Sequence, residues 1–185
     1  MMTGTGVRGA AVFLLVLLPG GRATAETNVD LADVGTGIAI ALPITAAGIS
    51  YWKNDYQGIG QLALDTGATV GTALLLKQFV KEERPDYSDD RSFPSDTAAL
   101  AFAPASYLWY RYGWEYGVPA YAAATFSGYT RVASEEHHWW DVATSAGIAW
   151  GYTFLFTSHW HYAYNLNSSI QVTPHEAFAS LSYRW

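Results

Sequence analysis

Residues 34–52, "VGTGIAIALPITAAGISYW", carry no charged residue. An apolar run of that length without strict alternation fits a helix and is too long for an ordinary strand. The same kind of stretch recurs at 57–81, with Asp65 inside it, and at 97–112, 116–131 and 139–158. Polar breaks separate them. Tyr112-Gly113 divides the third from the fourth, and "KEERPDYSDDRSFPSD", punctuated by Pro85 and Pro94, divides the second from the third. The segments are rich in Ala, Gly, Ser and Thr, which allow helices to approach closely. The expected fold is all-α, a helical bundle of five or six helices spanning residues 26–165.

The two ends read differently. "MMTGTGVRGAAVFLLVLLPGGRATAE" has Arg8 before a short apolar core, and small residues precede Glu26. That is the pattern of a secretory signal peptide over residues 1–25, which places the chain beyond the cytoplasm. At the other end, residues 166–185 acquire a period of two. Ala177, Ala179, Leu181, Tyr183 and Trp185 share one face after the turn-like "PHE", so a short C-terminal β-hairpin is expected.

A membrane-spanning helix needs about 20 mostly apolar residues. The first segment approaches that length and the others are shorter. Aromatics cluster at the segment ends, as in "SYLWYRYGWEYG" and "SHWHYAY", in the manner of an interfacial belt. Membrane association is the expectation, with a soluble bundle as the alternative. The formal net charge is −6 and the leader carries arginines but no acids, so the remaining chain is more acidic still. Bulk charge therefore excludes nucleic acid as a partner. The chain has no cysteine, which excludes disulfides and thiolate chemistry.

Against this acidic background, a few cations stand out. "YTRVASEEHHWWDVAT" holds Arg131, His137 and Asp141. His137 and Asp141 are four apart and share a face on a helix start. A carboxylate there orients one imidazole nitrogen and leaves the other free as base or nucleophile. Arg131 would add a fork of always-charged donors, which suits an oxyanion such as phosphate. In "LLLKQFVKEERPDY", Lys77 and Arg84 are seven apart, two turns along one helical face if the helix runs to Pro85. In "SFPSDTAALAF", Ser95 or Asp96 is the candidate N-cap of the next helix, whose free N–H groups suit a phosphate oxygen.

K-x6-R-P at 77–85, P-S at 94–95 and R-x5-H-x3-D at 131–141 together resemble the three motifs of the type 2 phosphatidic acid phosphatase (PAP2) and vanadium haloperoxidase superfamily. The resemblance covers roughly residues 30–160. It implies that His137 attacks phosphorus and becomes a phosphohistidine, that Asp141 orients it, and that Lys77, Arg84 and Arg131 bind the phosphoryl oxygens. Ser95 would add a hydroxyl or N–H donor. No metal or other cofactor is implied, because three cations take the metal's place. Two positions depart from the family pattern. Thr130 stands where serine is usual. "PSDT" stands where P-S-G-H is expected, so Thr97 occupies the place of the histidine that protonates the leaving alcohol. Asp96, one residue earlier, is the other candidate acid, although nearby cations oppose a protonated carboxyl.

The resulting expectation is an exported phosphatase of the cell envelope. It would act in the periplasm, or in the inner membrane with a periplasmic active site, on a phosphomonoester or diphosphate, with a lipid as the expected substrate. The alternative is a pseudoenzyme that binds phosphate or a lipid headgroup without turnover, because the second-motif histidine is replaced. A vanadate-dependent peroxidase is disfavoured by the short chain. A metal set drawn from His137, His138, Asp141, His159 and His161 lacks a recognised ligand spacing. Lys81, Glu82 and Glu83 are read as a solvated helix end, and Trp139 and Trp140 as core or interfacial packing.

Overall fold

The structure is a computed structural model; it describes residues 30–160, together with the backbone of residues 165–172 and 177–184. The expected signal peptide and Trp185 lie outside the described residues. Five helices follow in order: α1 (Leu31–Trp52), α2 (Tyr56–Phe79), α3 (Asp96–Tyr112), α4 (Trp114–Ala133) and α5 (Trp139–Phe156). Strands β1 (Asn165–Val172) and β2 (Ala177–Arg184) pair antiparallel, with Asn165 opposite Arg184 and Val172 opposite Ala177. The expected helical bundle and terminal hairpin are both present.

Helix α3 is the axis of the bundle, packing against each of the other four helices. Its run of alanines explains how. Ala98, Ala99, Ala101, Ala103 and Ala105 are completely buried. Side chains that small let four neighbours come close to one backbone. Bulk enters at Phe102, Tyr107 and Leu108, which join Leu42 and Ala46 of α1, Leu62 of α2, Ala124 of α4 and Val142 of α5 in a continuous core.

Successive helices run up and down. At one end, the α1–α2 turn meets the end of α3. Arg111 Nη2 donates to Asp55 Oδ1 at 2.6 Å, and Arg111 Nε donates to Asp55 Oδ2. Tyr112 donates to Asp55 Oδ2 at 2.6 Å, and Arg111 also reaches the Gln61 side chain and the Ser158 carbonyl, both at 2.8 Å. This buried ion pair is saturated with partners and clamps α1, α2, α3 and the chain after α5. Replacing Arg111 by Met leaves the Asp55 charge buried and is expected to cost about 3–5 kcal/mol of stability. Chemical denaturation of the detergent-solubilised protein measures this. The Asp55→Leu/Arg111→Met double variant should recover much of the loss. A single variant within about 1 kcal/mol of the wild type would contradict the clamp.

The opposite end carries the motif residues: the end of α2, the start of α3, the end of α4 and the start of α5. Helix α1 reaches it as well. Adding a Cβ at Gly35 would collide with Thr130 Oγ1, and Ser127 Oγ donates to the Gly35 carbonyl at 2.8 Å. The missing side chain thus allows α1 to lie against α4 just where Arg131 follows.

Two helices, α1 and α2, are long and apolar enough to cross a membrane. Large apolar side chains stand exposed on them, including Ile40, Ile44, Leu64, Leu75 and Phe79. Phe154 and Leu155 do the same on α5. Exposed aromatics mark both ends, with Trp52, Tyr56 and Trp114 at one and Phe79, Trp139 and Trp140 at the other. Trp139 and Trp140 therefore lie outside the core.

Candidate active site

The first motif differs from its sequence reading in one respect. Helix α2 stops at Phe79, and Val80 is already extended, so Lys77 and Arg84 do not share a helical face. The loop offers the backbone other partners. Glu82 N–H donates to the Asp90 carbonyl at 3.1 Å, Arg84 N–H to the Asp89 carbonyl at 3.0 Å, and Ser92 N–H to the Glu82 carbonyl at 3.0 Å. Residues 80–92 fold back on themselves as a short ribbon, which satisfies backbone groups that a helix would otherwise pair. Lys81 and Glu83 are exposed, as a solvated segment should be. Glu82 is half-buried and accepts a hydrogen bond from Trp140 Nε1 at 2.6 Å.

This ribbon delivers Arg84 to the third motif. Asp86 N–H donates to the Glu135 carbonyl at 3.1 Å, stitching the two loops together. The third-motif loop is itself closed on Arg131, whose carbonyl accepts from Glu136 N–H at 3.1 Å and from His137 N–H at 3.2 Å. Glu135 adopts a left-handed φ of 56° to make that turn. Arg131 is held from the other side by α1: its Nη1 lies 3.3 Å from both the Ala32 carbonyl and Thr36 Oγ1.

His137 immediately precedes α5, with His138 at the N-cap and Asp141 in the first turn. His137 Nδ1 lies 3.5 Å from Asp141 Oδ2 and has no closer hydrogen-bond partner among the described residues. Such a separation is common for catalytic pairs without substrate. Asp141 Oδ2 also accepts from the Ser92 hydroxyl at 2.5 Å and from His138 N–H at 2.8 Å. Burial pushes the Asp141 carboxyl upward in pKa. Contact with His137, the Ser92 hydroxyl and the His138 N–H more than offset this, and it ends below the ordinary aspartate range. Its place in the first turn of a helix favours the same charge.

The second motif begins α3. Ser95 is the N-cap, and its hydroxyl accepts from Ala98 N–H at 3.3 Å. Ser145 Oγ bridges the Ser95 carbonyl at 2.7 Å and the Asp141 carbonyl at 2.9 Å, fixing the starts of α3 and α5 side by side. Asp96 forms an ion pair with Lys77 at 3.2 Å, and Lys77 Nζ also donates to the Arg91 carbonyl at 2.9 Å. Burial raises the Asp96 pKa, but Lys77 and the more distant His137 outweigh it, and the carboxyl sits below its usual value. Asp96 is thus a carboxylate at neutral pH, the outcome that the neighbouring cations predict. Thr97 is half-buried in the same first turn.

The motif residues therefore gather at one end of the bundle. Lys77, Arg84 and Asp96 line a cavity of about 250 Å³. Arg131 and His137 are buried, at 7% and 1% exposure, and are not among the residues that line it. Burial opposes the Arg131 charge, which also experiences attraction to Asp96 and repulsion from Arg84. The repulsion between guanidiniums is relieved by Glu136, whose Oε2 lies 3.3 Å from Arg84 Nη1 and is ion-paired with Arg131 Nη2. Arg84 Nε is held by Asp89 at 2.7 Å.

Sequence reasoning did not single out Ser92, Asp89 or Glu136. Ser92 carries no charge and its role comes only from the ribbon's return. Glu136 was the more legible of the three, being an acid next to His137 in a chain with few charges. The metal candidates do not converge as a set. His159 is at the far end, stacked on Tyr110 at 4.2 Å, and His161 lies outside the described residues. Glu82, His138 and Asp141 do place ligand atoms within 4.8 Å of one another. His138, however, stacks on Trp140 at 4.3 Å, and Asp141 is already engaged by Ser92 and the backbone.

The chain is 34% identical over 130 residues to a lipid A 4'-phosphatase of Helicobacter pylori, an alignment covering 64% of this chain and 66% of that protein. The chain thus spans slightly less than two-thirds of the relative's length. No solved structure matches it. The PAP2 superfamily model matches residues 59–165, a span that includes all three motifs and the helices that bring them together, and the chain belongs to that superfamily.

Proposed function

We propose that the protein is a lipid phosphatase of the cell envelope that removes a phosphoryl group through a phosphohistidine at His137. One observation carries this reading: His137, paired with Asp141, stands at the bundle end where Lys77 and Arg84 line one cavity and Glu136 joins Arg84 to Arg131. Family membership and the similarity to a lipid A 4'-phosphatase support a phosphorylated lipid as substrate. The exposed apolar faces of α1 and α2 support embedding beside that lipid, and the leader-like N-terminus supports export.

In the proposed reaction His137 Nε2 forms a bond to phosphorus as the P–O bond to the lipid breaks. Asp141 holds the ring and offsets the imidazolium charge. Lys77, Arg84 and Arg131 take up the charge on the equatorial oxygens, the role that cations and metals play in phosphoryl transfer. Water then attacks phosphorus, the N–P bond breaks and phosphate leaves. The leaving alkoxide lacks a histidine donor, since Thr97 stands in that place. Asp96, a carboxylate paired with Lys77, has no proton to give at neutral pH.

That gap makes a specific prediction. Thr97→His should raise turnover of an alkyl phosphomonoester by about 10²–10⁴-fold, the range that general acids contribute. It should alter a substrate with an acidic leaving group, such as p-nitrophenyl phosphate, much less. Equal effects on both substrates, or none on either, would remove the proposed place of the proton donor.

The reading is tested by phosphate release from lipid A and phosphatidic acid in mixed micelles, for wild type and His137→Ala, with activity followed through membrane fractionation. Release by wild type alone supports the enzyme. The replaced second-motif histidine favours a second reading, a phosphate-binding protein without turnover. Phosphate or vanadate binding with no release from any ester would favour that reading.

A further inference from the structure

Glu136 lies where a substrate oxygen is needed. Its Oε2 touches both guanidiniums of the proposed phosphate site, Arg84 at 3.3 Å and Arg131 more closely, one residue before the proposed nucleophile. Its side chain remains 24% exposed, so it can swing outward. The other cations are similarly matched, Lys77 by Asp96 and Arg84 also by Asp89. The cation cluster is thus neutralised by carboxylates of the same chain.

We propose that Glu136 is a specificity-determining residue: an internal anion that a substrate must displace, and that admits dianionic phosphomonoesters while rejecting monoanions. The inference rests on the phosphate-site reading above. Its physics is competition. Glu136 is tethered beside Arg131 by its own N–H bond to the Arg131 carbonyl, so its effective concentration at the guanidiniums is high. A monoanion such as a phosphodiester offers the two arginines one charge in exchange for one and gains nothing to offset its own immobilisation. A terminal phosphate offers two charges and three oxygens, and so can replace the carboxylate and still engage Lys77. Discrimination then comes from the built-in competitor as well as from the attractive contacts. For a protein acting beside diester phospholipids, that rejection prevents the headgroups of the bilayer from filling the site.

The test is binding of inorganic phosphate and of dimethyl phosphate to the full chain in detergent, by titration calorimetry. Wild type should bind phosphate and show no measurable affinity for dimethyl phosphate. Glu136→Gln, near-isosteric and uncharged, should bind phosphate about tenfold more tightly, the scale of one lost charge-assisted contact, and should bring dimethyl phosphate into the measurable range. Glu136→Asp, one methylene short of the guanidiniums, should move the same way, and unchanged helical circular dichroism checks its fold. Wild-type affinity for both anions in both variants would overturn the role of Glu136 while leaving the phosphate site intact. Weaker phosphate binding in Glu136→Gln would overturn it too, because the carboxylate would then be helping to hold the anion. Absence of phosphate binding in wild type and variants alike would overturn the inference together with the site reading beneath it.

Discussion

Replacing His137 by Ala is expected to abolish lipid phosphatase turnover, with a fall in kcat on the order of 10⁶-fold, the scale seen when the nucleophile of a covalent hydrolase is removed. The expectation follows from the site's design. If His137 only oriented water or the substrate, the cations would still polarise the phosphoryl group and much of the rate would survive. If it forms the N–P bond, there is no alternative nucleophile of comparable strength in place. His138 does not substitute, because its ring is stacked on Trp140 and faces Glu82 at 3.7 Å. Binding should separate the two cases further. Phosphate affinity in His137→Ala should stay within a few fold of wild type, since Lys77, Arg84 and Arg131 are untouched. A phosphoenzyme that is labile to acid and stable to base should be trapped by rapid quench from wild type and be missing from the variant. Residual turnover within about a hundredfold of wild type would mean that the covalent step is absent.

The second large effect concerns Arg131. Arg131→Ala should lower kcat/KM by about 10³–10⁵-fold, the range for a single arginine that stabilises charge at a transferring phosphoryl group. Arg131 is confined from two sides. Helix α1 holds one of its amino groups through the Ala32 carbonyl and Thr36, and Glu136 meets the other. That confinement fixes the guanidinium before substrate arrives, which is what preorganised electrostatic catalysis requires. Arg131→Lys should recover only a small part of the loss, because an ammonium cannot satisfy α1 and a phosphoryl oxygen with the same planar fork. The loss should appear in kcat as well as in phosphate affinity. An effect confined to affinity, or smaller than about tenfold, would place Arg131 outside the transition-state contacts.

Much of this molecule was legible in its sequence, for identifiable reasons. Helix positions followed from long stretches whose few charges, such as Asp65 and Lys77, leave the apolar pattern unbroken. The boundaries shifted by a few residues, as helix ends do. Helix α1 begins at Leu31, after Asp30, and α4 begins at Trp114 because Gly113 takes a positive φ of 94°. The candidate site was legible where chemistry is tied to spacing, as at Arg131, His137 and Asp141. It failed at the end of α2. A seven-residue spacing between Lys77 and Arg84 implied one helical face, yet the ribbon from Val80 to Ser92 supplies the contacts instead. Its hydrogen bonds pair residues such as Glu82 and Asp90, and no local periodicity announces them. Glu136 escaped notice for a related reason. Its acid stands beside His137 in the sequence, but that it faces two guanidiniums emerges only from the turn through Glu135.

The central claim is that cations from distant segments hold a tetrahedral anion directly in front of the His137 ring. An experimental structure of the protein soaked in orthovanadate tests it most directly. The account predicts vanadium bonded to His137 Nε2, its oxygens within hydrogen-bond distance of Lys77, Arg84 and Arg131, and the Glu136 carboxylate displaced from between the two guanidiniums. Vanadate bound away from His137, or bound with Glu136 still seated on both arginines, would contradict it.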